Sequence, residues 1–98
     1  KGFDGSAPLG KFVNKSEFSN LADISFSLTQ NGATKQKGNT SDMIFSFHEI
    51  ISYVSKFMTL KIGDLIYTGT PAGVGPVSKN DLLEGFIGDK KMLSCRIK

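Results

Sequence analysis

The sequence contains one cysteine, Cys95, so no disulfide can close within the chain and secretion gains no support. Histidine is as scarce: His48 stands alone, with no second histidine or cysteine nearby to share a metal, and a surface histidine is the better reading. No apolar run approaches the ~20 residues that cross a bilayer, and no charged-then-apolar leader opens the chain. Charge of one sign is also lacking, since the net value is only +3. The pairs Lys35/Lys37 and Lys90/Lys91 have no interleaved aromatics and read as solvated strand faces. Membrane and nucleic-acid partners are therefore not expected.

What is present suits one soluble unit covering residues 1–98, of which 39% are hydrophobic. A chain of this length buries a modest fraction of its surface, so its stability alone would be marginal. Eleven glycines and eight phenylalanines favour a β-rich body with tight turns over a helix bundle. Cys95 falls in a strand-like segment, where a buried inert thiol is expected. The chain opens at Lys1 without methionine and enters loop-like sequence at once, which reads as a piece of a longer polypeptide.

Residues Lys1 to Asn20 show no sustained period and should form a loop, with a short extended piece near Phe12 and Val13. From Asp23 to Gln30 the alternation is strict, with Ile24, Phe26 and Leu28 on one side, and predicts a half-buried strand. Asn31-Gly32 follows, a type I′ hairpin signal, and Ala33 to Lys37 makes a polar return arm. Ser46 and Glu49 form a capping box, with Phe45 and Ile50 at the positions of a hydrophobic staple. Behind them Phe47, Ile50, Ile51, Val54, Phe57 and Met58 predict an amphipathic helix ending near Thr59. Gly63-Asp64 turns into a short strand, Leu65 to Thr68, and a last strand runs from about Met92 to Ile97.

Chemistry has one clear candidate. Residues 68–75 read TGTPAGVG, in which glycines free the backbone to approach a ligand and Thr70 adds a hydroxyl donor. Such a loop suits a carboxylate or an enolate oxygen. It lacks the Lys-Ser/Thr ending of a phosphate loop, and taken alone it reads more readily as a structural turn. Lys1 is the other polar candidate, against the plain reading of one solvated lysine among eleven. Asp42, Asp64, Asp81 and Asp89 lie in turns, where capping and Asx-turns account for them.

The order of segments carries a resemblance. KGFDGSAPLG at residues 1–10 resembles the Lys-Ser-x-Asp-x-x-x-Pro-(Leu/Val)-Gly stretch of the fumarylacetoacetate hydrolase family. Asn31-Gly32, Gln36, Gly38, Thr40 and the run SDMIF resemble that family's hairpin and following strand. The block SYVSKFMTLKIGDLIYTGTPAGVGPV is similar to its most specific stretch. The likeness is collinear over nearly the whole chain and greatest to the acylpyruvate hydrolase and oxaloacetate decarboxylase branch. Two departures stand out: Lys11 where many members have proline, and Asn80-Asp81 in place of Gly-Asp.

That resemblance implies an α+β fold, part of a mixed β-roll with one amphipathic helix, making up the C-terminal portion of a catalytic domain. It implies metal-dependent C–C bond cleavage in small 2-oxo acids, by acylpyruvate or fumarylpyruvate-type hydrolysis. The alternatives are oxaloacetate decarboxylase, a 2-hydroxyhepta-2,4-diene-1,7-dioate isomerase of aromatic compound catabolism or, in another class, a non-catalytic scaffold or dimerisation module. Lys1 would be the catalytic lysine, while Thr70, with Gly69 and Pro71 around it, would bind the substrate carboxylate. The cofactor would be a divalent metal, Mg2+ or alternatively Mn2+ or Ca2+, on a Glu-x-Glu pair and an Asp upstream of Lys1. A mobile His/Glu dyad, also upstream, would activate water. The expected partners are a 2-oxo acid, the missing N-terminal half and a second copy in a homodimer. The location would be cytoplasmic, and this stretch alone would be inactive.

Overall fold

The computed structural model describes residues 7–98. Four strands, β1 (Ser25–Gln30), β2 (Ala33–Asn39), β3 (Leu82–Ile87) and β4 (Lys90–Arg96), form one antiparallel sheet in the order β2-β1-β3-β4. A single α-helix, α1 (Phe47–Val54), lies between the two hairpins in sequence, and two short 3-10 turns occupy Lys15–Glu17 and Thr40–Asp42. The expected α+β composition is therefore present as a four-stranded sheet and one helix.

The first hairpin forms as its sequence dictates. Asn31 and Gly32 take φ of 52° and 84°, the positive values both central residues of a type I′ turn require. Across it Phe26 faces Gly38, and the Phe26 ring lies so close to that glycine that an added Cβ would come within 2.8 Å of it. In the second hairpin Gly88, at φ 58°, supplies the turn. Its partner strand β3 was not foreseen in the sequence. Leu82-Leu83-Glu84-Gly85-Phe86-Ile87 does not alternate, and its central glycine argues against a strand by propensity. Pairing on both sides, with β1 and β4, overrides that weakness.

Each edge strand carries a bulge. In β2 Leu28 pairs with Gln36 but Thr29 with Thr34, so Lys35 is extra; in β4 Gly85 pairs with Leu93 but Phe86 with Lys91, so Met92 is extra. An extra residue kinks its strand and re-aims the side chains beside it.

The helix begins where expected. The Glu49 amide donates to Ser46 Oγ (3.1 Å) and the Ser46 amide donates to Glu49 Oε1 (3.1 Å). These contacts hold the Glu49 carboxyl below its ordinary pKa, the Ser46 amide contributing most. The α-helical run stops at Val54 instead of near Thr59. Beyond it the chain tightens, with the Phe57 amide donating to the Val54 carbonyl (3.0 Å), and Ser55 Oγ takes the Ser52 carbonyl (2.9 Å). Such side-chain bonds compete with helix propagation. The apolar face that would favour continuation is uncovered, since Phe57 is 72% and Met58 65% exposed.

No described residue is fully buried; β3 and most of β1 are half-buried, and the extensive contacts run strand to strand. Cys95 is likewise half-buried on β4, not enclosed as expected. Leu65 to Thr68 is not a strand: no strand among the described residues pairs with it, and Leu65, Ile66 and Tyr67 are exposed. No helix among the described residues is long and apolar enough to cross a membrane.

Candidate active site

The segment from Thr68 to Pro76 lies against β2 at its bulge. A Cβ at Gly73 would collide with the carbonyl oxygen of Lys35, the extra residue, so only glycine allows this approach. Gly69 and Gly73 take φ of 100° and 107°, a backbone conformation that side chains rarely tolerate. Gln36, next to the bulge, then ties the loop down. Its Nε2 donates to Thr70 Oγ1 at 2.7 Å and to the Pro71 carbonyl at 2.9 Å.

The three substrate-binding residues expected from the sequence thus sit together in a loop fixed at two points. Pro71 is half-buried, whereas Gly69 and Thr70 face solvent. Among the described residues, no amide from Gly69 to Gly75 donates to a protein acceptor. The loop therefore offers amides and a hydroxyl that no acceptor among the described residues takes up, a set of donors suited to an anion. Lys1, the expected catalytic residue, lies outside the described residues. Gln36 belonged to the quoted family pattern, but its role did not emerge from the sequence. Its contacts span 34 residues, and no local signal reports them.

The carboxylates do not converge. Asp23 Oδ1 accepts from Asn39 Nδ2 (2.9 Å), Asp64 Oδ2 from the Lys61 amide (2.8 Å), and Glu49 completes its capping box. Asp81 accepts from the Ser78 amide (2.8 Å), Asn31 Nδ2 (2.9 Å) and Gln30 Nε2 (2.7 Å), in that order the causes that hold its carboxyl below the ordinary aspartate pKa. Asn80 before it takes φ of 73°, which explains why glycine also suits this position. These acids serve turns and caps. Among the described residues no three His, Cys, Asp or Glu side chains are placed to hold a metal ion, and His48 is exposed on the first turn of α1. The described residues do not fit a metal centre.

Two open clefts of about 460 and 470 Å³ lie elsewhere, one lined by Phe18, Asp23 and Met92 among others, the second by Thr40, Phe47 and His48. Neither includes Thr70, which is itself exposed.

The chain as a whole is similar to known proteins. The family described as fumarylacetoacetate (FAA) hydrolase C-terminal matches residues 1–98. The chain belongs to the fumarylacetoacetate hydrolase family. It is 47% identical over 98 residues to the mitochondrial oxaloacetate tautomerase FAHD1 of Bos taurus, matching all of this chain and 43% of that protein. It is 43% identical over 84 residues to the mitochondrial oxaloacetate decarboxylase of Dictyostelium discoideum, matching 86% of this chain and 38% of that protein. The chain thus spans less than half the length of the relatives it matches. Among solved structures, a fumarylacetoacetate hydrolase family protein from Yersinia pestis CO92 superposes with a TM-score of 0.89 at 44% identity, covering 98% of this chain and 44% of that one. Maleylpyruvate hydrolase from Sphingobium sp. SYK-6, solved with manganese (II) and pyruvate, gives 0.81 at 32% identity, covering 87% of this chain and 32% of the hydrolase. Proteins of this family are enzymes of the hydrolase, decarboxylase and isomerase kinds, and one holds a divalent metal.

Proposed function

We infer that the complete protein acts on a small 2-oxo acid, cleaving a C–C bond by acylpyruvate or fumarylpyruvate-type hydrolysis. The observation that supports this is the Thr68–Pro76 loop, whose Thr70 hydroxyl is exposed and whose amides meet no protein acceptor among the described residues, donors suited to a carboxylate in a chain of this family. Thr70 and the Gly69 amide receive the substrate carboxylate, and Pro71 holds their spacing. Anchoring that end fixes the plane of the 2-oxo acid, so the bond to be broken can be held in line with its carbonyl system. Lys1 stays part of the proposal as the cation facing the developing enolate. A divalent metal, Mg2+ first and Mn2+ or Ca2+ in its place, belongs to the proposal with ligands outside the described residues. So do the β-roll, the homodimer and the N-terminal half, and this stretch alone is inactive. A cytoplasmic location is proposed as well, although the relatives above are named mitochondrial; cell fractionation decides between the two.

A second reading is favoured by the relatives' names: oxaloacetate as substrate, through enol–keto conversion or decarboxylation. The isomerase alternative has a likeness of its own, 41% identity to 2-hydroxyhepta-2,4-diene-1,7-dioate isomerase from Mycobacterium marinum. The test is an assay of the complete polypeptide with Mg2+ on acetylpyruvate, oxaloacetate and the dienedioate. Acetylpyruvate hydrolysis as the fastest reaction supports the first reading. Turnover of oxaloacetate alone establishes the second, turnover of the dienedioate alone the isomerase, and no turnover of any leaves the scaffold.

A further inference from the structure

We propose that Gln36 is a positioning residue: its carboxamide dictates the direction in which the Thr70 hydroxyl donates, and so aims it at the substrate carboxylate. The proposal rests on the reading of Thr70 given above and goes beyond it by assigning the group that makes Thr70 a donor.

The argument is one of donors and acceptors. A single atom, Gln36 Nε2, lies 2.7 Å from Thr70 Oγ1 and 2.9 Å from the Pro71 carbonyl oxygen. A carbonyl can only accept, so the end of the carboxamide that faces the loop must be its NH2. Its two protons are then both assigned, one to Pro71 and one to Thr70. The Thr70 oxygen is thereby an acceptor toward Gln36, and its own proton must point elsewhere. Among the described residues that proton meets no acceptor. A hydroxyl left to rotate presents a lone pair or a proton with equal ease; this one presents its proton outward, as an anion requires.

The support for the carboxamide is firmer than the loop it aims. Gln36 is half-buried, sits in β2 paired with Leu28, and adjoins the Lys35 bulge, whereas Thr70 is exposed in irregular backbone. A neutral carboxamide also brings no charge that would repel the ligand or bind it on its own account.

A merely structural staple would also loosen the loop when removed, so the test is a cycle. Oxalate, a planar dicarboxylate, is the probe, and its inhibition constant is measured on the complete, metal-loaded polypeptide as wild type, Gln36→Met, Thr70→Val and the double variant. Thr70→Val should weaken oxalate roughly ten- to hundredfold, and Gln36→Met about tenfold. Without a hydroxyl there is nothing to aim, so the double variant should match Thr70→Val within about twofold. Equal loss from Gln36→Met in both backgrounds overturns the proposal and leaves a staple, as does no loss in either. Unchanged binding in Thr70→Val overturns the reading of Thr70 and this proposal with it. Should Gln36→Met fail to fold, Gln36→Glu gives the same decision. Its carboxylate takes the Thr70 proton, and its protonated form can donate again. Binding relative to wild type should therefore recover as pH falls from about 7 to about 4, through the ordinary glutamate range. A ratio flat across that range overturns the proposal.

Discussion

Both edge strands carry a bulge, and at each bulge a glycine from a distant segment sits against the carbonyl of the extra residue: Gly73 at Lys35 on β2, Gly10 at Met92 on β4. The two contacts are closed differently. On β4 the closure is backbone to backbone, the Lys11 amide donating to the Met92 carbonyl at 3.1 Å. On β2 it is made by one side chain, Gln36, reaching a hydroxyl and a carbonyl. A backbone closure accepts almost any residue and positions nothing chemical. A carboxamide closure depends on one residue type and leaves a polar group held in a chosen direction. The same device thus serves as a seam at one edge and, on the reading proposed above, as the support of a site at the other.

The sharpest way to break this comparison is to add a methyl group at each glycine in the complete polypeptide. Gly73→Ala forces the loop off Lys35 from a φ that alanine resists, and a displacement of the Thr70 hydroxyl by about 1 Å should cost about 10²-fold in kcat/KM. Gly10→Ala should instead destabilise by about 1–3 kcal/mol and leave the folded fraction with near-normal kcat/KM. Steady-state kinetics beside denaturant melts separate the two; equal activity losses would erase the distinction between the edges.

Acid should act on the supports of the sheet more than on the loop. The Asp81 and Glu49 carboxyls both lie below their ordinary pKa in the folded chain. The stability they contribute is complete above about pH 4 and is lost as pH falls through their folded values. Asp81→Asn should lower the melting temperature at pH 7 and shrink the further drop on going to about pH 3. An acid response identical to that of wild type would remove Asp81 from the account.

The smallest effect belongs to the seam. Lys11→Pro removes a backbone bond worth about 0.5–1.5 kcal/mol, and a proline where the amide was hydrogen-bonded regains nothing through the unfolded chain. Denaturant melts should therefore show a loss of that size, with kcat/KM near normal.

How much of this was legible follows the range of the interactions. The Asn31-Gly32 turn, the β1 alternation and the Ser46/Glu49 box are local patterns, and each appears where its residues place it. The helix stop at Val54 and the loss of the Leu65–Thr68 strand depend on surfaces that find no partner. β3 was hidden because Gly85 breaks its pattern while two neighbouring strands restore it. At the site, Thr70 with Gly69 and Pro71 could be read from one contiguous motif. Gln36 could not, because its work is done across 34 residues of sequence. Asp81 reads as a turn residue and takes the Ser78 amide as such, while its bonds from Asn31 and Gln30 span 50 and 51 residues.

The most direct test of the central claim, that this loop receives the carboxylate of a 2-oxo acid, is pyruvate binding to the complete, metal-loaded polypeptide by calorimetry, wild type against Thr70→Val. A charge-assisted hydrogen bond is worth about 1.5–3 kcal/mol, so the variant should bind about ten- to a hundredfold more weakly, with a melting temperature lowered only slightly by the lost bond from Gln36. Equal affinity in the two proteins would contradict the account and leave the loop as a turn against β2.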